Sequence, residues 1–315
     1  CSAAKTTPRS VWRRFSPFAA DILLHRKHSA LIYCFAIPFL FTFLIHSIGG
    51  VFPVGPSSVL VLDLNAQYIY FFNALRDAVY GNGSLLYSFS RAMGGEFLGI
   101  YAYYLASPLS YIVCLFPRGN ITEAIYFMMA VKAGLCGLTF GIFARHTLRC
   151  PDIPAIMLSV LYAFCGYATA LQSNTMWIDA LYLLPLIIMG LHALVDEKKT
   201  ILYTLALTAT LLFNYYIGYM TCLFVFCYFF LLVFARSRKE RHLENEKAVF
   251  FRTLGRIAIS SAIAIMMAAV MIIPAYYSLT FGKDTFSTPK YEFRSLFQLL
   301  DLFSKLFIAS YDTIR

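Results

Sequence analysis

The stretch DLNAQYIYFFNALRDAVYGNGSLLYSFSRAMGGEFLGIYAYYLASP, residues 63–108, decides how this chain folds. It is the longest polar interruption in an otherwise lipid-soluble sequence, and it carries carboxylates, amides, arginines, glycines and many aromatics. Lipid contact alone requires none of these. Apolar runs at 30–48 before it, and at 121–144, 153–171, 178–195 and 254–275 after it, approach the ~20 residues that cross a bilayer as a helix.

Composition agrees with the runs. Hydrophobic residues make up 60% of the chain and charged residues 13%, against roughly half and a quarter in a soluble domain. The net charge of +10 concentrates in 5–27 and 236–256, both beside apolar spans. Such flanks mark the cytoplasmic side of a membrane protein rather than a nucleic-acid surface, so no nucleic-acid partner is expected. The eight cysteines form no CxxC pair, and those inside apolar runs read as small buried hydrophobes. Cys1 as a lipidated terminus would place the basic tail outside, against the charge rule. The chain is instead read as a truncated piece, because it lacks an initiating Met and ends within another apolar stretch.

Charge also settles two ambiguous regions. Residues 200–234 form one long helix or two short ones broken at Asn214-Tyr215-Tyr216, and only two spans keep both the DEKK loop at 196–199 and the basic loop at 236–253 inside. Residues 97–116 are apolar yet carry Gly99, Pro108 and four tyrosines. Read as a membrane-dipping element rather than a crossing, they keep the Arg145, His146 and Arg149 loop inside. The expected architecture is an all-α polytopic bundle of about seven spans in one transmembrane domain. Its parts are a cytoplasmic tail (1–29), a large first outer loop (49–120) with amphipathic helices, a second outer loop (172–179), the basic cytoplasmic loop (236–253) and an outer segment (276–315) leading to a further helix.

Candidate chemistry clusters outside by this count. Asp63 ends the apolar run 59–62, with Gln67 four residues on and on the same helical face. It is either a base at the membrane surface or the N-cap of the following helix, the commoner role. Asp179, beside Asn174 and Trp177, is a second carboxylate on that side, again with capping as its ordinary role. Arg76 and Arg91 suit phosphate oxygens; Asp77 reads as a solvated partner. Lys132 falls mid-span, where a lone cation is costly and is paired or faces a cavity. Asn214, at the break between two helices, either faces the same outer cavity or belongs to an interfacial anchor. No metal-ligand spacing, no phosphate loop and no internal repeat occurs.

The blocks DLNAQYIYFFNALRD, LLYSFSRAMGGEFLGIYAYYLASPLSYIVCLFP, VKAGLCGLTFGIF, QSNTMWID and NYYIGY resemble, in order, those of the bacterial YfhO membrane protein family. The resemblance covers nearly the whole chain; family members are longer, which suggests an N-terminal portion. It implies a GT-C-type membrane glycosyltransferase of the bacterial cytoplasmic membrane, its site facing outward. The sugar would pass from a polyprenyl-phosphate carrier to an extracytoplasmic polymer such as teichoic acid. Asp63 matches the catalytic aspartate, and Asp179 the acidic residue of the next outer loop. Basic residues near the carrier phosphate are expected but not fixed by motif, and a divalent metal is left open. Two other classes compete: a flippase for lipid-linked precursors, which Lys132 suits, and a noncatalytic cell-envelope scaffold.

Overall fold

The computed structural model describes residues 29–52, 54–89, 93–240 and 246–282. Its elements are helix α1 (Ser29–Ile48), a π-helical turn (Leu64–Tyr68) leading into α2 (Ile69–Val79), and a two-residue ladder between β1 (Tyr87–Ser88) and β2 (Gly95–Glu96). A bent pair follows, α3 (Leu98–Leu105) and a 3₁₀ segment (Pro108–Leu115). The remainder is α4 (Ile121–His146), α5 (Asp152–Ala163), α6 (Gly166–Ala170), α7 (Thr175–Glu197), α8 (Ile201–Phe213), α9 (Tyr215–Glu240) and α10 (Glu246–Gly282). Six helical stretches among the described residues are long and apolar enough to cross a membrane. The chain is a multi-pass helical bundle.

Contacts at helix ends show which ends share a face. His46 near the end of α1 packs its ring 5.2 Å from Tyr126 in the first turns of α4. Asn174, just before α7, meets Tyr68 of the 49–120 region, and Asn214, between α8 and α9, meets Tyr103. Ser278 near the end of α10 donates to Glu96. All of these ends therefore lie beneath the 49–120 region. At the other face, Arg145 closing α4 pairs with Asp152 opening α5 at 3.0 Å, and Lys198 and Lys199 link α7 to α8. Helix direction alternates through α1, α4, α5–α6, α7, α8, α9 and α10.

The break expected at Asn214 is present: its backbone is extended, at φ −157° and ψ 104°, between α8 and α9. Helix α8, with 13 residues, rises only about 20 Å. It is short for a crossing, and at its end Asn214 reaches the 49–120 region through the Tyr103 carbonyl. Tyr103 belongs to the bent pair, whose legs turn by 96°. Each leg of eight residues spans about 12–16 Å, well short of the ~30 Å hydrocarbon core. Folding back is what such lengths allow. The vertex is Ser107-Pro108: proline supplies the fixed φ that starts the second leg, and the Ser107 hydroxyl accepts from Leu109 N.

Helix bounds correct two expected loops. The 172–179 loop ends early, since α7 starts at Thr175. Most of 236–253 is helical, α9 running to Glu240 and α10 starting at Glu246, because its Arg, Lys and Glu residues are good helix formers. Of the 276–315 segment, α10 takes residues to Gly282; the remainder, like the 1–28 tail, lies outside the described residues.

Close helix approach rests on small residues. A β-carbon on Gly190 of α7 would fall 2.5 Å from Tyr203 N on α8, so any side chain must push the two helices apart. We expect Gly190→Ala to cost about 1–3 kcal/mol by overpacking, read as a lowered Tm in detergent. An unchanged Tm would show that α7 and α8 can separate freely.

Candidate functional site

Asp63 does not cap a helix. Its backbone is already helical, at φ −63° and ψ −25°, and its side chain makes no cap hydrogen bond. The reason lies one residue earlier. Leu62 adopts a left-handed φ of 49°, and its carbonyl accepts from Asn65 N and Ala66 N, so the helix begins before Asp63. The carboxylate is thereby left exposed at the start of the turn. A left-handed leucine costs about 1–3 kcal/mol, and such strain gathers at functional sites. Gln67 is exposed on the same π-helical turn.

Beneath Asp63 lies a phenol. The Tyr68 hydroxyl donates to Asn174 Oδ1 at 2.9 Å and lies 3.4 Å from Asp63 Oδ2. One proton serves two acceptors, and the shorter contact takes it, leaving Asp63 free to accept from elsewhere. Burial, with the Asp63 charge next, pushes the Tyr68 phenol well above its ordinary range. It stays a protonated donor. Tyr68 packs 5.1 Å from the Tyr104 ring, and Tyr104 stands 4.6 Å from Tyr103. Tyr103 in turn accepts from Trp177 Nε1 through its hydroxyl and from Asn214 Nδ2 through its carbonyl. Asn214 Oδ1 also accepts from Ile217 N, capping α9. Both π-helical turns, Leu64–Tyr68 and Tyr101–Leu105, thus meet at this ring cluster, and π-turns are frequent where function bends a helix.

Asp179 stands elsewhere than expected. It lies in the second turn of α7, fully buried, and it is neither a loop residue nor a cap. Lys132 Nζ, on α4, donates to Asp179 Oδ2 at 2.9 Å and to the Thr175 carbonyl at 2.8 Å, and the Ser107 hydroxyl donates to Asp179 Oδ1 at 3.0 Å. The vertex of the bent pair is thus tied into the bundle by an ion pair. Since Asn174 and Thr175 are neighbours, a nearly continuous polar path runs Asp63, Tyr68, Asn174, Thr175, Lys132, Asp179, Ser107. The two carboxylates do not face one open cavity: Asp63 is exposed and Asp179 has no exposed surface.

The other basic candidates stand apart. Arg76 is 13 residues from Asp63, about 20 Å along the helix, and is engaged by the Phe116 carbonyl at 3.2 Å and the Tyr80 ring at 4.7 Å. It ties α2 to the bent pair. Asp77 forms an exposed pair with Arg118 at 3.1 Å, in keeping with a solvated role. Arg91 lies outside the described residues. Among the described residues no group of three His, Cys, Asp or Glu is placed to hold a metal. With its oxygens taken by Lys132 and Ser107, Asp179 does not fit as Asp63's partner around a cation.

Residues 34–315 match the family model for the bacterial membrane protein YfhO. The chain belongs to that family. No curated protein and no solved structure matches the YfhO chain, so its site rests on geometry. Sequence reasoning passes over Tyr68, Ser107 and Tyr103. Their signals are faint: a tyrosine five residues after Asp63, and a Ser-Pro pair at the centre of a tyrosine-rich apolar run.

Proposed function

We propose that this YfhO protein is a membrane glycosyltransferase that moves a sugar from a polyprenyl-phosphate carrier to a polymer acceptor on the extracytoplasmic side. One observation carries the reading: Asp63 is an exposed, uncapped carboxylate at the edge of an apolar bundle, preceded by a strained leucine and linked through Tyr68, Asn174 and Thr175 to the buried Lys132. Asp63 accepts the proton of an acceptor hydroxyl as its oxygen attacks the anomeric carbon. The bond from that carbon to the phosphate oxygen breaks on the opposite face, its electron pair leaves with the carrier phosphate, and the anomeric centre inverts. Phosphate is a stable leaving group, so the site needs charge stabilisation rather than a dedicated acid. Asn174 and Tyr68 support the base. Asp179 is recast as a positioning residue for Lys132 and for the Ser107 vertex.

A flippase draws its support from Lys132 as a lone intramembrane cation; Lys132 is instead paired with Asp179, so it does not single out a flippase over a transferase. Vesicles containing the full-length protein, a labelled polyprenyl-phosphate sugar and an external hydroxyl-bearing polymer test the choice. Transfer predicts label on the polymer; label that crosses the bilayer still attached to its lipid would defeat the proposal.

A further inference from the structure

A cavity of about 330 Å³ lies among α1, α4, α5, α6 and the start of α7. Its lining includes apolar Ala133 and Ile178 together with polar His46, Lys132, Gln172 and Thr175. The polar groups are not all satisfied. Lys132 has three N–H donors; Asp179 Oδ2 and the Thr175 carbonyl take two, and the third has no acceptor among the described residues. Ammonium donors are tetrahedral, so the third points away from both acceptors. His46 Nδ1 is buried and makes no well-formed hydrogen bond among the described residues, the Thr42 carbonyl one turn back on α1 being its only interacting acceptor there.

We infer that this cavity seats the phosphate of a lipid, with Lys132 Nζ and the His46 ring donating to its oxygens and the hydrocarbon chain leaving along the apolar wall. A buried cation with a spare donor and an imidazole lining the same cavity suit an anionic oxygen acceptor. An apolar wall suits a chain rather than water. The cavity lies between α1 and α5, whose outward faces carry Leu44, 50% exposed, and Leu161, 67% exposed. A chain leaving between these helices meets surfaces already suited to lipid. Thr175 joins this seat to the Asn174–Tyr68–Asp63 cluster, so the seat is linked to the base through successive polar contacts. Naming the lipid as the sugar's carrier rests on the transferase reading; the phosphate seat itself does not.

The test uses the full-length protein in phosphatidylcholine nanodiscs, titrated separately with polyprenyl phosphate, the matching polyprenol, phosphatidylglycerol and inorganic phosphate. Two variants probe the cavity: Ala133→Leu, which fills it and leaves the ion pair, and the double change Lys132→Met with Asp179→Asn, which removes both charges together. Polyprenyl phosphate is expected to bind at least ~10-fold tighter than each other probe, a difference of about 1.4 kcal/mol. Each variant should weaken it by a similar factor. Polyprenol binding equally would overturn phosphate recognition, and inorganic phosphate binding equally would make this a free-anion site. Phosphatidylglycerol binding equally would remove the carrier assignment, and wild-type binding by both variants would move the lipid elsewhere. Cavity-dependent binding without transfer from any donor would leave the seat standing and remove the transferase reading. Transfer that is indifferent to both variants would sink the seat alone.

Discussion

Asp63→Asn is expected to lower sugar transfer by about 10²–10⁴-fold, the usual contribution of a positioned general base, while leaving the fold intact. The carboxylate makes no cap hydrogen bond, and its one described contact is the long 3.4 Å approach of Tyr68. An amide of nearly the same shape can occupy the place, and Tyr68 keeps its shorter bond to Asn174. Stability should therefore change by no more than the roughly ±0.5 kcal/mol typical of surface sites. The measurement is transfer rate beside Tm on one preparation. A large rate loss with an unchanged Tm supports chemistry at Asp63. A rate within a few-fold of wild type would remove Asp63 as the base, and a matching fall in both quantities would make it structural.

The bundle is legible from the sequence because lipid leaves a coarse signature. Apolar runs near 20 residues and basic flanks mark a span without any knowledge of its neighbours. Charge balance also finds the Asn214 break, and it reads 97–116 as a dip rather than a crossing, since each other choice places a basic loop outside. The site is legible only at its ends. Asp63 stands out as a carboxylate closing an apolar run, but its lack of a capping role does not: the left-handed Leu62 that displaces the helix start is a tertiary compromise, and no residue type announces it. Asp179 reads as a loop residue because the sequence around 172–179 is polar. The helix nevertheless starts at Thr175, since its polar groups find partners on α4 and in the bent pair. Lys132 needs an acid within reach, and the sequence offers no means of choosing which among carboxylates dozens of residues away.

The buried pair is where a single change should unfold the most. Lys132→Met strands the Asp179 charge, and Asp179→Asn strands the ammonium; each is expected to cost about 3–5 kcal/mol, as removing one partner of a buried pair does. The exposed Arg118–Asp77 pair, at a similar 3.1 Å but with Arg118 68% exposed, should contribute at most about 1 kcal/mol. Burial, not distance, separates the two. Removing both charges with Lys132→Met and Asp179→Asn should restore most of the loss, because well-packed neutral replacements of a buried pair are often close to neutral. Thermal unfolding of wild type, the Lys132→Met and Asp179→Asn single variants and the double variant gives the coupling directly. Activity then adds what stability cannot. The pair also holds Ser107, and through it the bent segment that carries Tyr103 and Tyr104 against Tyr68. If the pair serves only as this tether, the double variant should regain transfer along with stability, since the amide oxygen that replaces the Asp179 carboxylate can still accept from Ser107. If Lys132 also supplies charge to a departing phosphate, the double variant should fold and remain slow.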